Sequence, residues 1–208
     1  QHDNRQFNRG AMKNIGFLAM KEKYKDSYKD ITFVFNDVDT LPYDKNVLHY
    51  ETTKGNVKHF YGFQFALGGI FSIKGEDFEK TGGFPNFWSW GLEDNLINNR
   101  CIEQNLTVDR SVFYKIGNPN IIQLFDGINR IVSKETHNLA QINNNILKSD
   151  NMYSLNNVDY KYNNDFIDVV NFKTLINDKK ITYNTFDTRN GIKVNFNNRR
   201  GNFNMILN

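Results

Sequence analysis

The stretch that most constrains this chain is Ile31-Thr32-Phe33-Val34-Phe35 running directly into Asn36-Asp37-Val38-Asp39. β-branched and aromatic side chains suit a pleated strand. A short run without polar alternation predicts a strand buried on both faces, as in a parallel sheet. Two carboxylates at i and i+2 then stand where the strand gives way to a turn, at the edge where open α/β sheets place their ligands. Oxygen ligands so spaced can share a hard divalent cation that bridges a diphosphate. The same four residues equally fit an Asx-rich turn closing a strand, and Leu41-Pro42-Tyr43 continues as a turn.

The flanking pattern alternates helix and strand. Met12, Ile15, Gly16, Leu18 and Ala19 recur at helical spacing, predicting a helix over 10–25 that ends in charged residues. Residues 60–73 read as strand interrupted by Gly68-Gly69, a pair that marks a bulge or a close approach of backbone to something else. A short helix over 74–80, a turn-rich loop over 81–86 and a helix over 93–104 follow. Beyond 118 the pattern weakens. Residues 138–164 read as loop or short helix, 166–175 and 180–186 as strands, and the tail from 190 as a fraying end. The expectation is one α/β domain spanning all 208 residues.

A second cluster with chemical content is Trp88-Ser89-Trp90-Gly91-Leu92-Glu93-Asp94. Aromatic faces suit the C–H faces of a sugar ring, and an adjacent carboxylate can remove a proton from an attacking hydroxyl. Two core tryptophans and two acids in the first turn of a helix, favoured there by its dipole, fit the same residues.

Composition narrows the classes. Basic and acidic residues nearly balance, 26 against 23, without the dense Lys/Arg stripe that tracks a phosphate backbone, so no nucleic-acid partner is expected. Cys101 is the only cysteine, which rules out an intrachain disulfide and a cysteine-based zinc site. No apolar run approaches the ~20 residues needed to span a bilayer, and the opening residues do not read as a signal peptide. Asn makes up roughly one residue in six, a bias of the surface that also makes the Asn105-Leu106-Thr107 triplet weak evidence for glycosylation.

Five segments then carry a resemblance. Phe7-Asn8-Arg9-Gly10 with Asn14-Ile15-Gly16-Phe17, Phe33 through Asp39, Gly68-Gly69, Gly83-Phe84-Pro85-Asn86, and Trp88 through Asp94 resemble the β-1,4-galactosyltransferase family, in its order and near its spacing. Residues 149–155 again look familial. The resemblance implies a GT-A fold, a Rossmann-like mixed sheet with flanking helices, here without its first strands. It implies an inverting, metal-dependent transfer of Gal or GalNAc from a UDP-sugar donor to a glycan or glycoconjugate acceptor, with Mn²⁺ or another divalent cation as cofactor. A catalytically silent carbohydrate- or nucleotide-sugar-binding domain on the same fold is the alternative.

Residue by residue, Phe7 would pack on uracil and Arg9 would meet the diphosphate. Asp37 and Val38 would line the ribose and sugar, and Asp39 would bind the metal. Gly69 would let the backbone approach the donor sugar, and Trp90 would ride a closing loop. Glu93 and Asp94 would hold the acceptor, with Asp94 as general base. Further acceptor contacts would come from 133–145. Two departures bear on this. The window where the family supplies a metal-binding His reads Asn120 through Asp126, leaving Gln123 or Asp126 as oxygen substitutes, with His137 an ordinary histidine. Ala66 stands where galactose-specific members carry Tyr, which implies room for an N-acetyl group. Family members usually lie in the Golgi lumen, but the lone cysteine is also compatible with cytoplasm or a viral particle.

Overall fold

The computed structural model describes residues 1–125, 127–135 and 148–190, and the backbone of 193–194 and 203–204. In chain order the elements are α1 (Arg9–Lys23), β1 (Thr32–Asn36), β2 (Thr40–Pro42), β3 (Asn56–Gly62), β4 (Ile70–Lys74), α2 (Gly75–Thr81) and α3 (Glu93–Glu103). Then come β5 (Thr107–Asp109), β6 (Tyr114–Lys115), β7 (Ile121–Gln123), β8 (Asn129–Ser133), β9 (Asn156–Asn163), β10 (Phe166–Lys173), β11 (Tyr183–Asp187), β12 (Lys193–Val194) and β13 (Phe203–Asn204). The chain divides into two compact units. One comprises Lys13–Phe84 and Leu92–Asp126, the other Gln1–Met12, Pro85–Gly91 and Gly127–Asn208.

The first of these units is built on a mixed sheet in the order β1-β4-β3-β5, with β6 also on β3. β4 runs antiparallel to both β1 and β3, whereas β5 and β6 lie parallel to β3. Its core is aromatic. Phe35 stacks on Phe71 with ring centroids 5.0 Å apart, Phe78 lies 4.5 Å from Phe35, and Phe17 of α1 lies 4.8 Å from Phe78. Offset and edge-on rings of this kind add to the area they bury. α2 is stopped by Gly82, which adopts φ 75° and donates its N–H to the Glu79 carbonyl, a left-handed ending that glycine adopts without a Cβ clash.

β1 departs from the expectation of a strand buried on both faces in a parallel sheet. It pairs antiparallel with β4, Thr32 opposite Lys74 through Asn36 opposite Ile70. Only Phe35 is buried, while Val34 is 41% exposed. The reason is that β-prone residues satisfy the pleat whether or not both faces are covered, so an apolar run alone does not fix the sheet it joins. The interrupted strand over 60–73 is likewise two strands, β3 and β4, with Gly68 and Gly69 in the connection rather than inside a strand.

In the other unit, Trp88 stacks on Phe172 at 5.2 Å, and its indole N–H donates to Thr174 Oγ1 and to the Ile176 carbonyl. The Arg5 guanidinium lies 4.7 Å and 4.4 Å from the same two rings. β9 and β10 form an antiparallel hairpin, and β11 pairs with β8. β9 corrects the reading of 138–164 as loop or short helix. Val158, Tyr160 and Tyr162 alternate with polar residues and so prescribe a strand, a period masked by the excess of Asn. Residues 138–147 lie outside the described residues, as does most of the tail from 190. Among the described residues no helix is long and apolar enough to cross a membrane.

Candidate active site

Three turns of the Lys13–Phe84/Leu92–Asp126 unit converge on one locus. The Asp37 N–H donates to the Gly69 carbonyl at 2.9 Å, so the acidic turn after β1 is tied to the glycine turn before β4. The Leu67 N–H donates to the Asp94 carbonyl at 2.9 Å, tying the same glycine turn to the start of α3. A Cβ on Gly68 would stand 2.2 Å from Asp94 Oδ2, and one on Gly69 (φ 64°) would stand 2.3 Å from the Tyr61 carbonyl oxygen. Both glycines are therefore required by close approach, and Gly69 by its left-handed backbone as well.

The fourth segment is β7, antiparallel to β2 with Thr40 opposite Gln123. The Leu124 N–H donates to the Asp39 carbonyl at 2.7 Å, which brings Gln123 beside the acidic turn. The Tyr61 hydroxyl donates to Gln123 Oε1 at 2.7 Å. Burial raises the Tyr61 pKa, the Gly117 backbone opposes the rise, and the negative charge of Asp39 adds to it, so the hydroxyl stays a donor. The Gln123 amide oxygen keeps one lone pair, and Asp39 supplies a carboxylate in the adjoining turn. This all-oxygen set fits a hard cation that takes its remaining ligands from a diphosphate and water. Among the described residues no group of three His, Cys, Asp or Glu side chains forms a metal cluster. Asp126 and His137 lie outside the described residues.

Asp37, Asp39, Gly69 and Asp94 are therefore brought together. Val38, between the two acids, is 98% exposed. Glu93 is buried in the first turn of α3, and the residue before it, Leu92, has φ 74°, an uncommon conformation for a bulky side chain. Three of the residues singled out belong to the other unit. Phe7 is 56% exposed and its carbonyl accepts from the Ser89 N–H; Arg9 opens α1; the Trp90 N–H donates to the Ile131 carbonyl at 2.9 Å. Ser89 also has φ 74°, and among the described residues its buried Oγ has no hydrogen-bond partner.

Sequence reasoning missed Lys13, whose Nζ lies 2.9 Å from Asp37 Oδ1, and His59. The His59 ring is fully buried, with Nε2 3.0 Å from both the Tyr61 and Gly68 carbonyls and Nδ1 3.0 Å from Arg110 Nε. Burial and the neighbouring Arg110 charge pull its pKa down to about 4, against the two carbonyls that raise it. No local pattern marks either residue, because Asp37 lies 24 positions from Lys13 and Arg110 lies 51 from His59.

The chain is similar to known proteins over part of its length. Residues 48–123 match the family model described as the N-terminal domain of galactosyltransferase. β-1,4-galactosyltransferase 2 of Cricetulus griseus is 34% identical over 122 residues, 53% of this chain and 31% of that protein. β-1,4-galactosyltransferase 6 of Homo sapiens is 36% identical over 113 residues, covering 50% and 28%. β-1,4-galactosyltransferase 7 of Drosophila melanogaster is 28% identical over 171 residues, covering 77% and 51%. A crystal structure of a mutant Drosophila β-1,4-galactosyltransferase 7 in complex with manganese, UDP-Gal and xylobiose superposes with a TM-score of 0.53 at 22% identity, covering 77% of this chain and 68% of that one. The class is thus a GT-A nucleotide-sugar transferase fold, mixed sheet with flanking helices. Within that fold, residues 48–123 resemble the β-1,4-galactosyltransferase family. The chain spans about a third of the length of the first of these relatives.

Proposed function

We propose that this chain forms part of an inverting, metal-assisted glycosyltransferase that moves Gal or GalNAc from a UDP-sugar to a hydroxyl of a glycan or glycoconjugate. The observation that carries the reading is the glycine turn, whose Gly68 seats the Asp94 carboxylate while the Gly69 carbonyl holds the Asp37 amide. In this reading a proton acceptor and a donor-binding acid both abut one turn. The names of the relatives, and the UDP-Gal and xylobiose bound in the Drosophila structure, support the substrate classes.

In this reading Asp94 takes the proton of the acceptor hydroxyl as that oxygen attacks the anomeric carbon. The bond to UDP breaks with its electron pair on the diphosphate, and the anomeric centre inverts in a single displacement. Asp39, with Gln123, would hold a divalent cation whose positive charge stabilises the departing diphosphate. Asp37 and Val38 line the ribose and sugar, Gly69 admits the donor sugar close to the backbone, and Glu93 helps hold the acceptor. Ala66 leaves room for an N-acetyl group.

The test is UDP release from UDP-hexoses with and without Mn²⁺, comparing wild type with Asp94→Asn. Loss of a proton acceptor costs typically 10²–10⁴-fold in kcat, and UDP affinity should hold within roughly threefold. Equal turnover in the two proteins removes Asp94 from the role. A second reading, a silent nucleotide-sugar-binding domain, is favoured by the neutral Gln123, which already accepts from Tyr61. It predicts UDP binding with no turnover in wild type.

A further inference from the structure

We infer that His59 is a positioning residue for the proposed transfer, its Nε2–H gripping the glycine turn that seats Asp94 and Asp37. The inference rests on the transferase reading above. Arg110 Nε can only donate, so the Nδ1 atom it faces at 3.0 Å must be the unprotonated nitrogen. The ring proton therefore resides on Nε2, which donates to the Gly68 and Tyr61 carbonyls, each 3.0 Å away. Those two carbonyls are not arbitrary core acceptors. Gly68 is the residue packed on the Asp94 carboxylate, and the Tyr61 carbonyl is the wall against which Gly69 closes. Gly69 in turn receives the Asp37 N–H.

The grip is itself held from behind. Arg110 also reaches Asn98 Oδ1 at 3.3 Å and the Ala66 carbonyl at 3.5 Å, so α3 and the start of the glycine turn share its fork. Phe113 closes the ring edge-on at 4.9 Å. The depressed pKa agrees with a neutral imidazole of fixed tautomer. A core histidine with no role in the site would fill this space equally well, and the two cases separate by which nitrogen matters.

His59→Gln retains an amide N–H near the Nε2 position and gives up the Nδ1 acceptor. His59→Asn retains an acceptor near Nδ1 and gives up the donor. In the full polypeptide, the Asn variant should lose roughly 100-fold in kcat, the scale of a small misplacement of reacting groups. Its UDP affinity should stay within roughly threefold of wild type, and the Gln variant should keep kcat within roughly fivefold. Amide exchange at Leu67 and Asp37 should quicken about tenfold in the Asn variant alone. Equal kcat losses and equal exchange in the two variants of an active wild type overturn the role, since a space-filling histidine does not distinguish its nitrogens. A wild type that binds UDP but transfers from no UDP-hexose overturns the transferase reading instead, and with it any role of His59 in a reaction.

Discussion

The Cα of Gly68 faces the Asp94 carboxylate so closely that a methyl group there would stand 2.2 Å from Oδ2. A contact that short must push the carboxylate away from the turn. Gly68→Ala should therefore lower kcat by roughly 100-fold, a consequence of displacing the proton acceptor, with about 1–3 kcal/mol of destabilisation from overpacking. Steady-state rates beside a UDP titration check this, because nucleotide affinity should hold. A Gly68→Ala protein with wild-type kcat would mean that Asp94 does not act from this position.

Asp39 carries the negative charge of the two oxygen-bearing residues that the pairing of β2 with β7 brings near each other. Asp39→Asn should weaken Mn²⁺-dependent UDP binding by at least ~100-fold. Gln123→Ala, which removes a neutral ligand and the partner of Tyr61, should cost about tenfold. Calorimetric titration of UDP at several Mn²⁺ concentrations measures both, and a larger effect at Gln123 than at Asp39 would reverse the assignment.

His59 makes folding stability depend on acid. Its folded pKa is depressed from 6.5 to about 4, so the unfolded chain takes up the proton first as the pH falls. The stability it contributes is present above pH 6.5 and is lost between 6.5 and about 4, approaching roughly 3 kcal/mol if no other group compensates. Urea unfolding across that window should show stability rising with pH, and His59→Gln should flatten the slope. An unchanged slope would show that another group takes up the proton.

Ala66, buried just before the glycine pair, is expected to permit UDP-GalNAc as donor at a rate comparable to UDP-Gal. Ala66→Tyr should shift the ratio of kcat/KM toward UDP-Gal by about tenfold or more, the scale of excluding a small group from a pocket. A strong Gal preference in wild type would contradict the assignment of this position.

Cys101 is buried in α3 and burial, with the Asp77 charge adding to it, pushes its thiol up to about 12. It should resist thiol reagents at pH 8 in the folded protein and react fully in denaturant, because the thiolate is the reactive form. Mass spectrometry of iodoacetamide-treated protein reads this directly.

How much of this was legible beforehand depends on the range of the interactions. The acids of Asp37 and Asp39 at the end of a β-prone run, the need for glycine at 68 and 69, and the acids opening α3 are local patterns, and the helices read from the sequence pattern match α1, α2 and α3 within two residues. The family likeness rested on the same short segments. What they left open was whether Asp37-Val38-Asp39 was merely a turn, and whether Trp88 was core. Trp88 is core, stacked on Phe172, and residues 37–40 do form a turn, the Thr40 N–H donating to the Asp37 carbonyl, and that turn is also tied to the glycine turn.

The sequence by itself determined the residue types and their local geometry: a strand ending in two carboxylates, two adjacent glycines, and a helix begun by Glu93 and Asp94. Only the tertiary structure decided that Gly68 packs on Asp94, that Gln123 stands beside Asp39, and that His59 is wedged between Arg110 and the glycine turn. It also decided that β1 lies antiparallel to β4. The physical reason is the same in each case. Helical and strand periods report which side of its own element a residue occupies, but sheet order and most of these hydrogen bonds depend on partners about 25 to 85 positions away. No window of local sequence contains them.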